Sequence, residues 1–344
     1  MNEQYMIKVA ALTGGRNAPS ARFRVRQLIS VLQEHGIEMQ EFIPPVSRYP
    51  PSQHWLRPFW GLAALAGRVP AVIATYRYDI VFLQREILST FVTLEPLTKH
   101  PRVLDVDDAI FLHRGGNFAK KLAKLSDLVI CGNDFIAEYF SRWNKNVVVI
   151  PTAIDTQRYK PITYNSDLQN KLIIGWTGTS GNFKYLYEIE DALEIVVRKL
   201  PNVFLRVIAD KEPTFHGILK DRLDFIKWST GVEVTGVQGM TVGIMPIANT
   251  DWARGKCSFK MLQYMACGIP VVVSPVGMNS KVLSLGEVGI GAKSSDEWIS
   301  ALLTLLLDKE KTNRMGAVGR QVVEKYFNVD VIAVLLATQL RQLL

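Results

Sequence analysis

The side chains best suited to chemistry in the later half lie between Asp251 and Asn279, in DWARGKCSFKMLQYMACGIPVVVSPVGMN. Arg254, Lys256 and Lys260 bring three cations to what reads as the first turns of one helix. A helix start leaves backbone N–H groups unpaired with a partial positive charge, so this arrangement suits a diphosphate. Lys260 follows Lys256 by four residues, on the same face if both are helical. Gly268-Ile269-Pro270 ends the helix and Val271–Val273 reads as a buried strand. A second small-residue loop, Gly178, Thr179 and Ser180, follows a strand and precedes a helix carrying Lys184. Small residues let the backbone approach phosphate oxygens, and hydroxyls can donate to them. A solvated basic loop before a core helix would show the same composition.

In the earlier half, Gly14 and Gly15 hold the place equivalent to Gly178. We read them as approaching the diphosphate or its substituent. Arg22, Arg24 and Arg26 open the first helix. Arg22 and Arg26 share a face at i,i+4 and are candidates for the acceptor side, because arginine makes bidentate contacts to anions. Asp105, Asp107 and Asp108 form DVDD after a strand; Asp107 or Asp108 is expected to position an acceptor hydroxyl, and the rest to be structural, as a cap or a buried link to an arginine. Gln84, Arg85 and Glu86 end another strand and are further candidates for that pocket. The five histidines make no metal spacing with one another. No GxSxG elbow or Cys–His plan indicates a covalent nucleophile. Neither glycine loop meets the GxGxxG pattern of a nicotinamide site.

These residues sit on alternating strand-like and helix-like runs. Strands are expected at Ile7–Leu12, Ile80–Leu83, Arg102–Asp105, Leu128–Cys131 and Val147–Ile150, with a helix over Ala21–His35. The pattern restarts with strands at Lys171–Trp176 and Val203–Ala209, helices over Tyr185–Leu200 and near Phe215–Trp228, and short strands at Val232–Thr235, Val242–Pro246 and Val271–Ser274. A helix follows at Asp296–Leu307, then a last helical region. Strands separated by helices imply parallel sheets covered on both faces. The fold class is therefore α/β: two doubly wound Rossmann-like domains, expected to face each other across a cleft. The expected domains are 1–160 on the acceptor side, 161–326 for nucleotide binding, and a C-terminal helix at 327–344 packing back on the first, with a hinge at Pro151–Asn170. Ligands of such sheets lie beyond the carboxyl ends of the strands.

The chain has 344 residues and a formal charge of +8. Residues 1–160 hold 20 Lys and Arg against 14 Asp and Glu, which puts most of the excess in the first half and implies an anionic partner there. No DNA-binding motif or basic stripe interleaved with aromatics argues for nucleic acid. Three cysteines are too few for a disulfide framework and fit a reducing compartment. No signal-peptide plan opens the chain, and no apolar run approaches the ~18 residues needed to span a bilayer. Trp55–Ala74 mixes aromatics, apolar residues and arginine. It suits an interfacial helix, or a helix packed on the first sheet. The expected location is cytoplasmic or peripheral at the inner face of a membrane.

Four blocks resemble glycosyltransferase family 4 (group 1), the retaining nucleotide-sugar-dependent enzymes of the GT-B fold. They are the Val9–Gly15 strand and loop followed by SARFRVRQL, the run from Ser126 through VVVIPTAIDTQRYKP, IIGWTGTSGNFKYL, and GKCSFKMLQYMACGIPVVVSPVG. The resemblance implies transfer of a hexose-type group from a nucleotide diphosphate sugar to a hydroxyl of a glycan or lipid-linked, in some cases phosphorylated, acceptor. It implies retention by front-face attack with no obligatory protein nucleophile. We expect metal-independent catalysis with no cofactor, the nucleotide sugar being a co-substrate. Lys184, Arg254 and Lys256, with Lys260 beside them, would stabilise the leaving diphosphate. Of the two glutamates frequent in the fourth block, the positions here are Gly255 and Gln263. Gln263 keeps a carbonyl acceptor for ribose hydroxyls, whereas the loss of the first leaves the sugar open. Two alternatives stand beside this reading: a catalytically silent nucleotide-sugar-binding subunit, and a sugar-nucleotide epimerase or hydrolase of the same fold.

Overall fold

The computed structural model describes residues 6–162 and 171–344. The expected hinge falls partly outside them. The chain forms two compact units. One gathers the chain up to Ala153 with Gly255–Cys257 and Val329–Leu344; the other comprises Ile154–Arg254 and Ser258–Asn328.

The first unit is a six-stranded parallel sheet. Its strands are β1 (Ile7–Leu12), β2 (Ile37–Phe42), β3 (Ile80–Gln84), β4 (Arg102–Val106), β5 (Leu128–Cys131) and β6 (Val147–Val149), in the order β2-β1-β3-β4-β5-β6. β1, β3, β4 and β5 lie inside the sheet and are almost wholly buried, which is why each is mostly apolar. β2 was not expected as a strand. Its sequence IEMQEF alternates, as an edge strand with one wet face should. The helix expected over Ala21–His35 breaks at Val25 into α1 (Pro19–Arg24), a 3-10 turn at Arg26–Leu28 and α2 (Ile29–Glu34). Arg22 and Arg26 therefore do not share a face of one continuous helix.

α3 (Arg57–Ala74) rests on this unit along a narrow line: Ala64, Arg68 and Val72 are its buried residues. Arg68 donates to the carbonyls of Thr13 and Phe42 and so ties α3 to the ends of β1 and β2. The opposite face exposes Trp55, Phe59, Leu62, Val69, Ile73 and Tyr76. The expectation that no segment is long enough to span a bilayer needs correction. His54–Arg77 is helical over 24 residues and holds an 18-residue window with a mean hydropathy of 1.2, long and apolar enough by length and composition to cross a membrane. The unit is completed by α4 (Asn117–Leu125) and α5 (Asp134–Phe140).

The second unit is another six-stranded parallel sheet: β7 (Leu172–Thr177), β8 (Val203–Ala209), β9 (Leu223–Lys227), β10 (Val242–Met245), β11 (Val271–Val273) and β12 (Gly289–Gly291). The order is β12-β11-β10-β7-β8-β9, the doubly wound arrangement with its reversal between β7 and β10. Its helices are α6 (Phe183–Tyr187), α7 (Glu190–Lys199), α8 (Gly217–Asp221), α9 (Glu233–Gln238), α10 (Asp251–Arg254), α11 (Phe259–Ala266), α12 (Met278–Leu283), α13 (Ser295–Leu307) and α14 (Lys309–Tyr326). The last helix, α15 (Val329–Arg341), packs Ile332, Leu336 and Leu340 into the core of the first unit.

Two expectations here are wrong. The helix near Phe215–Trp228 is α8 followed by β9. LDFIK alternates, with Leu223 and Phe225 packed on the core and Asp224 accepting from Arg206 of β8. The strand at Val232–Thr235 is the start of α9. Its β-branched residues favour a strand only weakly, and an ion pair from Glu233 to Arg158 at 3.0 Å, with Val237 buried in the core, fixes the helix instead.

Candidate functional site

In the first unit the sheet order reverses between β1 and β3, and the loops leaving β1, β2, β3 and β4 surround a pocket of about 520 Å³. Such a reversal opens a crevice beyond the strand ends. Gly14, Gly15, Ser20, Arg48, Arg85, Asp107 and Asp108 are among its walls. The acid–arginine group is organised by β4. Asp105, the next-to-last residue of that strand, is fully enclosed and pairs with Arg24 of α1, which also donates to the carbonyl of Ile150 at 2.8 Å. This is the buried link to an arginine expected for DVDD. It also takes Arg24 out of any ligand contact.

With Asp105 committed, Asp107 and Asp108 turn toward Arg85. Arg85 adopts a left-handed backbone with φ of 63° and reaches Asp108 at 3.3 Å and Asp107 at 4.0 Å. Asp107 Oδ1, Glu86 Oε2, Gln84 Nε2 and Arg85 Nε are buried with no hydrogen-bond partner among the described residues. Orphaned polar atoms concentrated at strand ends mark a place that awaits polar ligand atoms. Burial raises the Asp108 carboxyl above its ordinary pKa, and the Asp107 carboxylate adds to this; Arg85, Lys256 and Arg48 oppose it. A carboxyl so poised can accept a hydrogen bond or proton from an acceptor hydroxyl.

The sign of this shift gives a stability test. A folded-state pKa above the unfolded value favours the protonated native form below the unfolded value of about 4, and that advantage is lost as pH rises through the folded value. The Tm of wild type minus that of Asp108→Asn should therefore fall as pH rises above about 4. A difference that grows with pH would mean that Arg85 dominates and that the carboxylate is the favoured form.

The acceptor-side candidates do not all join this pocket. Arg26 forks onto Glu41 with two bonds of 2.8 Å and donates to the Arg16 carbonyl, a commitment that braces the β1 loop. Arg22 lies against the Phe23 ring, 4.7 Å from its centroid. Glu86 is buried, with Arg85 Nε at 3.8 Å.

In the second unit the reversal lies between β7 and β10, and α11 pins it. The hydroxyl of Tyr264 accepts from the Thr177 N–H at 2.8 Å and donates to the Ile244 carbonyl. Gly178 comes directly after. A side chain there would meet the Trp176 ring at 2.5 Å and Lys260 Cε at 2.8 Å, so glycine is what lets the loop lie under the lysine. Lys260 Nζ sits 5.6 Å from the Trp176 ring centroid. The structure thus brings together Gly178 and Lys260, residues more than eighty positions apart. Thr179 accepts from Asn182, while both the N–H and the hydroxyl of Ser180 go to the Asp210 carboxylate, at 2.6 and 2.8 Å. Ser180 donors are spent on an anion the chain itself supplies. Lys184, on α6, is exposed with its ammonium 4.9 Å from the Tyr185 ring centroid.

The cation cluster read from Arg254, Lys256 and Lys260 is divided. Arg254 ends α10 and bonds Asn249 at 3.1 Å and Asp251 at 3.4 Å. Ser258, in a left-handed conformation with φ of 51°, separates Lys256 from α11, which starts at Phe259. Lys256 is therefore not helical and shares no helix face with Lys260. Gly255–Cys257 count with the first unit: the Lys256 carbonyl accepts from Asn133, and its charge acts on Asp108. Gln263 is buried and its amide donates to the Tyr159 hydroxyl at 2.8 Å. That bond holds the side chain by its Nε2 and does not use the carbonyl oxygen expected to meet the ribose. Sequence reasoning missed Arg48. A lone arginine in a proline-containing loop gives no signal, and its importance comes from where the fold puts it. Among the described residues, no group of three or more His, Cys, Asp or Glu is placed to hold a metal ion.

Residues 171–308 match the family model for glycosyl transferases group 1. Solved structures share the fold. A sucrose-phosphate synthase from Thermosynechococcus elongatus has a TM-score of 0.72 at 17% identity over 98% of this chain and 99% of its own. Anabaena HepE, solved with UDP and glucose, gives 0.69 at 17% over 98% and 100%. WaaG, a glycosyltransferase involved in lipopolysaccharide biosynthesis, gives 0.66 at 12% over 96% and 99%. Comparison with curated protein sequences gives no match. The two parallel sheets have the GT-B architecture of these enzymes.

Proposed function

We propose that this chain, a glycosyltransferase whose residues 171–308 form its group 1 domain, moves a sugar from a nucleotide diphosphate sugar to a hydroxyl acceptor with retention and without a metal ion. The observation that carries this reading is the placement of Gly178 under Lys260 where the second sheet reverses. The loop offers backbone close to a ligand and the lysine offers charge, the pair needed by a departing diphosphate. Because HepE is solved with UDP and glucose, a UDP sugar is the first donor to test.

In the reaction, the bond from C1 to the diphosphate oxygen breaks and a bond from C1 to the acceptor oxygen forms on the same face. The acceptor proton passes to the departing diphosphate. Lys260, with Lys184 of α6 and Arg254 at the end of α10, neutralises the charge that develops there. Asp107 and Asp108 orient the acceptor hydroxyl, and Lys256 favours the ionised form of Asp108. With WaaG as a neighbour, a glycan or lipid-linked glycan is the acceptor class we favour. The domain assignment we propose is acceptor binding by the first unit and nucleotide-sugar binding by the second.

The test is a thermal-shift screen of UDP, GDP and ADP sugars, followed by product analysis with the stabilising donor. A ligand selective for the native state raises Tm. We expect one class of nucleotide sugar to raise it, acceptor-dependent release of nucleoside diphosphate that survives EDTA, and a product of unchanged anomeric configuration. Failure of every nucleotide sugar to shift Tm would contradict the reading. Binding without release would favour a silent subunit, and release of free or epimerised sugar without acceptor would favour the hydrolase or epimerase.

The exposed apolar face of α3 supports a peripheral contact with a membrane, which we place at the inner face. A helix held to its sheet by Arg68 and presenting Trp55, Phe59, Leu62 and Ile73 outward is built to lie in an interface. The protein should float with vesicles rich in anionic phospholipid, and Phe59→Ser with Leu62→Ser should leave it in the soluble fraction. Equal behaviour of the two proteins would argue against the contact.

A further inference from the structure

The pocket of the first unit has a cationic wall that the transferase chemistry leaves unused. Arg48, in the loop after β2, is 2% exposed. Its Nη2 donates to the Tyr49 hydroxyl at 3.0 Å, and its guanidinium carbon lies 5.0 Å from that ring centroid. Its Nε and Nη1 are buried with no partner, and among the described residues no carboxylate pairs with it. A side chain on Gly14 would fall 2.8 Å from the guanidinium carbon and from Nη1, so the glycine loop is shaped around this arginine.

A second guanidinium, Arg68, lies near enough to feel it. Burial pushes the Arg68 pKa down to about 10, and the Arg48 charge contributes to that. Arg68 Nε is likewise unpartnered. A buried guanidinium with unbonded N–H groups is costly, and an open pocket beside it gives an anion a place to enter. Nε and Nη1 lie on different edges of the guanidinium, so each offers its own charge-assisted N–H to an oxygen of a phosphate or carboxylate. Elsewhere on the same pocket wall stand Asp107 and Asp108, unsuited to an anion but suited to a hydroxyl.

We propose that Arg48 binds an anionic substituent of the acceptor, a phosphate or carboxylate, while the hydroxyl to be glycosylated faces Asp107 and Asp108. The inference rests on the reading of this unit as the acceptor side and names the class of acceptor: a sugar that carries a negative charge. Gly14 then serves to keep the arginine in place, in addition to any approach to the donor.

Calorimetric titration of the full chain with glucose 6-phosphate, glucuronate and glucose tests it, on wild type, Arg48→Gln and Arg48→Lys. At least one charged sugar should bind about tenfold or more tightly than glucose, a preference of the size a charge-assisted bond supplies. Which of the two binds identifies phosphate or carboxylate as the natural group. Arg48→Gln should abolish the preference, and Arg48→Lys should keep part of it because the charge remains without the fixed guanidinium donors. UDP titrated into the same three proteins reports whether the fold and the second unit are intact. If neither charged sugar outbinds glucose, or if Arg48→Gln keeps the preference with UDP binding unchanged, the inference fails while the transferase reading stands. Failure of the wild type to bind UDP, GDP or ADP would instead strike that reading, and this one with it.

Discussion

Replacing Asp105 with alanine is expected to destabilise the first unit by about 3–5 kcal/mol, the cost of leaving a buried charge without its partner. Both side chains are enclosed, with Arg24 5% and Asp105 1% exposed. Burial alone would depress the Arg24 pKa, and the adjoining Asp105 carboxylate more than reverses this, so the guanidinium stays charged. Removing the carboxylate strands that charge beneath the sheet ends. Denaturant unfolding monitored on this unit should show the loss. The double variant Arg24→Met, Asp105→Leu should recover much of it, because an apolar pair of similar volume needs no counter-charge. A single-variant cost no larger than that of a surface substitution, about 0.5 kcal/mol or less, would remove the pair from the account. The effect reaches function as well: Asp105 holds the end of β4, from which Asp107 and Asp108 extend into the pocket.

The second large effect is expected at Gly178 and Lys260. Lys260→Met removes charge while keeping most of the chain length that lies over Trp176. Its fold should survive, and its turnover should drop roughly 100- to 1,000-fold, the scale of losing one preorganised group at a developing negative charge. Gly178→Val should fail differently. Its side chain would collide with the buried Trp176 ring and displace Lys260, so both stability and nucleotide affinity should fall. Steady-state rates and UDP titrations of the two variants separate the effects. Near-wild-type turnover in Lys260→Met would show that the charge for the leaving group comes from another residue.

The sheets were legible because their central strands are buried on both faces and read as apolar runs. Val203–Ala209 and Leu128–Cys131 match the expected bounds. The strands that failed lie outward. β2 and β9 alternate, and an alternating run beside helical sequence merges with its neighbour. The Gly178 loop could be found from its position after a strand, and Asp107 and Asp108 likewise. What the sequence could not show is which cations share a site. Arg254, Lys256 and Lys260 are close in number, yet the left-handed turn at Ser258 parts them. Arg48 is invisible for the converse reason. Its neighbours Gly14 and Arg68 are far away in sequence, and only the closing of β1 against β2 and α3 brings the three together.

The central claim is that a diphosphate binds beyond the ends of β7 and β10. A crystal of the full chain soaked with UDP-glucose tests it most directly. The account predicts diphosphate oxygens at hydrogen-bond distance, about 3 Å, from the backbone of the Gly178 loop and from Lys260 Nζ. Clear density for the diphosphate elsewhere on the second unit, with Lys260 still lying over Trp176, would contradict it.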